Sequence, residues 1–293
     1  MIEPQPLTTL PSRARLMLRA LRPGSRSVVA SLDAVPEIHL RGLPVDAARL
    51  EAYARLCGFD DGGRVPLPYL FVLTFDAQLA LLTHNAFPLK ALGMVHLDNV
   101  FEWLGEPLKA GETFDLEVRA TSLDTVEKGR QVKTEAVFRR AGEAVARSAS
   151  TSFSRGGGHG RPEPKGPRSG PPEGEGKIRD PASWDLASWD LAPDIGRRYA
   201  RVSGDFNPIH LFRPTARLLG FRRPIAHGMY LVARAVAGLG ADAEAARRLD
   251  IRFKTPTFLP SRPRFFVSQD AEGMDFELWS EDLARPHLTG SLA

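Results

Sequence analysis

A single cysteine, Cys57, in 293 residues excludes an internal disulfide framework and any multi-cysteine zinc or iron–sulfur site, and it points to a reducing compartment. Long apolar runs are missing too. A membrane helix needs roughly 18 to 20 uninterrupted apolar residues, and even residues 72–91 are broken by Asp76, His84, Asn85, Pro88 and Lys90. The cytoplasm is the default reading of that reducing compartment; residues 1–27 carry arginines but no apolar stretch of the kind a secretory signal needs, which leaves a transit peptide as the alternative. Lysine is scarce, and the net charge of +4 is carried mainly by dispersed arginine. Such an excess suits an anionic ligand but is too small and too scattered for a nucleic-acid groove.

What is present is an ordinary globular balance, 43% hydrophobic and 25% charged, in a chain long enough for two domains or one domain of two similar halves. The clearest boundary is the stretch 155–177, where Gly and Pro predominate and no hydrophobic side chain occurs. It reads as a linker. The expected division is 1–154, a linker over 155–180, and 181–293. Directly after the linker Ala182-Ser-Trp-Asp-Leu186 is repeated as Ala187-Ser-Trp-Asp-Leu191, which reads as a slipped duplication whose tryptophans cover a domain edge.

The two sides of the linker resemble each other. Tyr53-Ala-Arg-Leu-Cys-Gly58 answers Tyr199-Ala-Arg-Val-Ser-Gly204, and Leu97-Asp98 with Phe101 answers Leu249-Asp250 with Phe253. Between these landmarks each half has one apolar segment of helical character, over 70–82 and over 228–239. Strand-like runs follow, over 113–123, 131–139 and 144–153 in the first half and over 250–253, 264–268 and 275–279 in the second. The alternation Leu116-Glu117-Val118-Arg119-Ala120 predicts a half-buried antiparallel strand. The expected fold class is α+β, a helix against an antiparallel sheet in each half.

Chemistry concentrates in YARVSGDFNPIHLFRPTA, residues 199–216. Gly204 permits an unusual backbone angle and Pro208 fixes one, so Asp205, Asn207 and His210 project from a stiff loop. A carboxylate and an imidazole five residues apart can converge on one water and move protons near neutral pH. Pro224-Ile-Ala-His227-Gly228-Met229 then opens the second apolar helix. Its first N–H groups lack intrahelical partners and carry the positive end of the helix dipole, which suits an oxygen gaining negative charge. Together the two segments supply what proton abstraction next to a thioester carbonyl requires.

Tyr199, Val202, Ser203-Gly204-Asp205, Asn207-Pro208-Ile209-His210 and Ala216 resemble the signature of the MaoC-like family, the (R)-specific enoyl-CoA hydratases or dehydratases of the hot dog fold. Five single-choice positions, Gly204, Asp205, Asn207, Pro208 and His210, would recur by chance about once in 10⁴ chains of this length. The resemblance extends through Ala226-His-Gly-Met229 and 252–260, and it implies a double hot dog. It also implies that Asp205 and His210 hold the catalytic water, that the Gly228 N–H binds the thioester oxygen, and that Asn207 orients the loop or the substrate. Ser203, His227, Arg213 and Arg223 are the expected substrate-side residues; His227 also reads as a helix cap, and the arginines, with Arg217 and Arg222, as partners for the phosphates of coenzyme A or a carrier's pantetheine arm. No metal and no redox cofactor is implied, and His84 and His96 read as structural. After Gly58 the first half continues Phe59-Asp-Asp-Gly without Asn-Pro-x-His, so one active site per chain is expected. An acyl-carrier-protein substrate, thioester hydrolysis and a silent acyl-thioester binding module are the alternatives. A double repeat satisfies its own pairing, so a monomer and a homodimer are both compatible with the sequence.

Overall fold

The structure, a computed structural model, describes residues 4–21, 31–60, 63–155, 185–270 and 273–293. The expected linker, apart from Arg155, and most of the first copy of the duplicated pentapeptide lie outside the described residues. In the second copy Trp189 stacks on Phe265 at 5.2 Å, with the Arg234 guanidinium 5.6 Å from its ring. Among the described residues no helix is long and apolar enough to cross a membrane.

The chain begins with helix α1 (Arg13–Leu21), strand β1 (Ile38–Pro44), α2 (Ala47–Cys57) and α3 (Tyr69–Leu82). Strands β2 (Val95–Trp103), β3 (Thr113–Val126), β4 (Gly129–Arg140) and β5 (Glu143–Arg155) complete the first half. The second half repeats the plan with β6 (Asp185–Ser188), α4 (Ile195–Ser203), α5 (Arg213–Leu218), α6 (Gly228–Gly238), α7 (Ala241–Ala245) and β7 (Arg248–Phe253). It ends with β8 (Arg264–Asp270), β9 (Gly273–Trp279) and β10 (Pro286–Leu292).

The ten strands of the described residues form one antiparallel sheet in the order β1-β3-β4-β5-β2-β7-β10-β9-β8-β6. Read outward from the β2–β7 seam, the order is the same on both sides. The seam pairs the repeated landmarks with each other: Asp98 lies opposite Arg252 and Phe101 opposite Leu249. The second pair of landmarks also meets, because α2 packs on α4 and the rings of Tyr53 and Tyr199 lie 6.1 Å apart.

The elements follow from side-chain periodicity. In β3 Phe114, Leu116 and Val118 point into the core while their neighbours face outward, and in β4 Val132, Ala136 and Phe138 do the same. Helices α3 and α6 are apolar on nearly every face and are buried in one continuous core drawn from both halves. Fully burying one such Leu or Val stabilises the fold by about 1.5–3 kcal/mol. Four strands of the sheet were not expected, one of them β6, which straddles the junction of the duplicated pentapeptides and pairs with β8. β1 and β10 are broken by glycine and proline, and β2 carries the polar run His-Leu-Asp-Asn, in which buried Asn99 bonds Ser150 and Met229. Their pairing partners, not their own pattern, make them strands.

Candidate active site

Helix α4 delivers the site. It ends at Ser203, and Gly204 turns left-handed with φ 81°, its N–H reaching back to Ala200 O at 2.8 Å. The chain then bonds to itself at every second residue. Asp205 N–H donates to Ser203 Oγ at 3.2 Å, Asn207 N–H to Asp205 Oδ1 at 3.0 Å, and Ile209 N–H to Asn207 Oδ1 at 3.4 Å. Asn207 thereby caps the short 3-10 turn Pro208–His210, and Arg197 of α4 secures its exit by donating to Leu211 O at 3.0 Å.

His210 is buried, and its Nδ1 lies 2.9 Å from Ile225 O. A carbonyl can only accept, so Nδ1 carries the proton and Nε2 is left with a free lone pair. His227 is stacked on it with ring centres 3.7 Å apart and planes inclined by 26°. The His227 Nε2–H donates to Asp205 O at 3.0 Å, and the same nitrogen lies 3.8 Å from Asp205 Oδ2. Burial pushes the Asp205 carboxyl up from its ordinary pKa, opposed by His210 and by the Asn207 N–H. Burial also pushes both imidazoles down, His227 further because His210 adds to the effect. The group is thus two neutral imidazoles beside a carboxyl whose proton affinity has been raised.

His227 also precedes α6, but its side chain makes no helix-capping bond. Gly228 is the first residue of that helix. A Cβ on it would lie 2.5 Å from the Phe253 ring, so the space on that side belongs to Phe253 and the backbone N–H is what Gly228 can offer a ligand. Ser203 is fully buried and faces Asp205 through its hydroxyl. Arg213 stands exposed at the start of α5. Arg223 and Arg222 lie over Phe258 at 5.8 and 4.5 Å and line an open pocket of about 360 Å³ with Arg285, Asp282 and His287. His96 lies between the rings of Phe71 and Phe253 at 5.7 and 5.1 Å.

Asp205, His210 and His227 offer ligand atoms within 4.8 Å of one another. Imidazole lone pairs lie in the ring plane, and two rings stacked face to face cannot aim them at one ion; moreover, His227 Nε2 is already committed to a carbonyl. The set suits proton transfer better than metal coordination.

Two contributors have no local signal in the site's own segment. Gly196 in α4 abuts the His210 carbonyl, which a Cβ would approach to 2.0 Å. Aligning Tyr53 with Tyr199 sets Leu50 opposite Gly196, and that contrast could have revealed it. Arg49, from the other half of the chain, donates to Val202 O and Ser203 O at the end of α4, at 2.7 and 2.8 Å, and could not have been found from the loop.

Two halves sharing one strand order about a central seam, with an apolar helix in each and a buried cluster of one carboxyl and two imidazoles at the start of the second, define a double hot dog fold. A MaoC-like domain matches residues 182–272, and a FAS1-like dehydratase domain region matches residues 42–148. The chain is 34% identical over 289 residues to 3-hydroxyacyl-thioester dehydratase X of Mycobacterium tuberculosis, covering 97% of this chain and 99% of the relative. The crystal structure of HtdX from the same organism superposes with a TM-score of 0.74 at 28% identity, covering 87% of this chain and 98% of that one. A MaoC-like dehydratase from Phytophthora capsici superposes at 0.68, with 21% identity and coverage of 90% and 97%. The chain belongs to the MaoC-like dehydratase family and is a hydro-lyase.

Proposed function

We propose that the protein interconverts trans-2-enoyl and (R)-3-hydroxyacyl thioesters, with Asp205 and His210 as the acid/base pair and coenzyme A as the carrier. The observation that carries this reading is the Asp205 carboxyl within 4.8 Å of the buried His210 ring, whose Nδ1 is bound to Ile225 O, both beside His227 at the N-terminus of α6. In hydration, the pair removes a proton from water as its oxygen bonds to Cβ. The π electrons move through Cα to the thioester oxygen, where the Gly228 N–H steadies the enolate. Collapse of the enolate takes a proton at Cα from the pair, and dehydration runs the same steps backward. Asn207 holds the loop through its cap on the 3-10 turn. The Arg222, Arg223 and Arg285 pocket, with the Phe258 ring, has the charge and the aromatic face to take the nucleotide end of coenzyme A.

The name of the tuberculosis relative and the family's chemistry support the thioester. The FAS1-like match over residues 42–148 favours a second reading, a substrate carried on an acyl carrier protein. The test is loss of the conjugated enoyl-thioester absorbance with crotonyl-CoA and a longer enoyl-CoA, using wild type, Asp205→Ala and His210→Ala. Product oxidation by an (R)-specific or an (S)-specific 3-hydroxyacyl dehydrogenase then reads the stereochemistry. Turnover by wild type alone is expected, and turnover only of carrier-bound enoyl chains selects the second reading.

A further inference from the structure

The first half of the chain reaches the catalytic loop from behind. Asp46 caps α2 by accepting the Arg49 N–H at 3.0 Å, which sets Arg49 in the first turn. From there the guanidinium crosses to α4, where Nε donates to Val202 O at 2.7 Å and Nη2 to Ser203 O at 2.8 Å. These are terminal carbonyls of α4, without intrahelical partners and at the negative end of its dipole. A rigid fork of two N–H groups matches two successive carbonyls in a way that a single ammonium cannot. Burial of Arg49 pushes its pKa down, which fits a cation solvated by carbonyls instead of water.

A second arginine backs the first. Arg13 lies so close to Gly204 that a Cβ there would come within 2.8 Å of its Cζ and 2.9 Å of its Nη1. Asp76 of α3 holds Arg13 through both carboxylate oxygens, at 2.7 and 2.5 Å. Ser203 and Gly204, the two residues before Asp205, are therefore seated against arginines of the N-terminal half.

We infer that Arg49, supported by the Arg13–Asp76 pair, is a positioning residue for the hydro-lyase reaction, fixing the end of α4 so that Asp205 faces His210. This rests on the Asp205–His210 reading. It gives the half without the motif a defined part in the reaction.

The molecule contains its own control. Arg234 of α6 donates Nη1 to Cys57 O at 3.1 Å, at the corresponding end of α2, where no acid/base pair follows. The experiment compares Arg49→Met, Arg49→Lys and Arg234→Met in the full chain, reading enoyl-CoA turnover, melting temperature and amide hydrogen exchange of the 199–210 segment. Arg49→Met is expected to lower kcat at least about tenfold with KM little changed, since small misplacements of reacting groups are costly. Exchange of 199–210 should quicken, and free guanidinium at millimolar concentration should recover part of kcat. Arg49→Lys should be impaired in the same direction. Arg234→Met should keep kcat within about twofold even where its melting temperature falls.

Wild-type kcat and exchange in Arg49→Met would overturn the inference, as would an equal kcat loss in Arg234→Met. If Arg49→Met does not fold, Arg49→Lys decides, and wild-type turnover and exchange in that variant would overturn it. Failure of the wild-type protein to hydrate any enoyl thioester would sink the functional reading instead, while the exchange comparison would still decide the clamp.

Discussion

At Gly58 and at Gly204 the chain leaves a Tyr-Ala-Arg helix by the same left-handed turn, with φ of 87° and 81°, and the two helices pack against each other. Beyond the turns they diverge. The first half buries Phe59 in the core and leaves Asp60 exposed, whereas the second folds Asp205 back toward His210. The apolar helix of each half begins Pro68-Tyr69 in the first and His227-Gly228 in the second. The helix before it carries Leu50 in the core where its counterpart has Gly196 against the His210 carbonyl. One backbone plan thus accepts either a packing role or a chemical one. The choice rests on a few residues that are small, rigid or able to transfer a proton.

The largest effect should come from the loop itself. His210→Ala and Asp205→Asn are each expected to lower kcat by about 10² to 10⁴, the usual weight of a positioned acid or base. Asp60→Asn at the corresponding turn should leave it unchanged, and an equal loss there, measured by enoyl-CoA hydration, would break the contrast. Next, Gly228→Ala should cost about 10² in kcat, because the added methyl meets the Phe253 ring at 2.5 Å and shifts the N–H that we propose binds the thioester oxygen.

Smaller again is Gly196→Ala. Its methyl would meet the His210 carbonyl, at a cost of about 1–3 kcal/mol in urea unfolding and about tenfold in kcat. Leu50→Ala should reverse that balance, costing about 2–5 kcal/mol of stability with kcat largely kept. If both variants lost activity in proportion to stability, the two positions would be equivalent after all.

The smallest effect at neutral pH concerns buried histidine. Burial lowers the pKa values of His210 and His227, and takes His287 from 6.5 to about 4. Each is neutral when folded and takes up a proton more readily when unfolded. The unfolded state therefore binds more protons, and stability present above pH 6.5 is lost as pH falls toward about 4. His287→Gln should flatten the fall in melting temperature across that window; an unchanged slope would remove His287 from the account.

Much of this was legible in the residues. Alternation announced β3, strand-like runs announced β4 and β5, and the all-round apolar segments announced α3 and α6, because burial selects side chains by face. The Gly-Asp-x-Asn-Pro-x-His spacing announced the loop, since Asx turns, a proline and a left-handed glycine are local devices that need no distant partner. β2 and β10 were hidden because their polar and glycine residues become strand only beside β5, β7 and β9. His227 was placed at the right helix start, but its bond to the Asp205 carbonyl joins residues 22 positions apart and has no periodic signature.

The sequence alone therefore determined the duplication, the α+β class and the residues able to carry acid/base chemistry, all of which depend on local conformation and on burial pattern. Only the tertiary structure decided how they meet: the stacking of His227 on His210, the tautomer set by Ile225, and the hold of Arg49 and Arg13 on the end of α4. The histidine stack and the Ile225 contact form within the second half, whereas the arginine contacts join segments up to 191 residues apart, Arg13 to Gly204, and it is the packing of the two halves that brings those together.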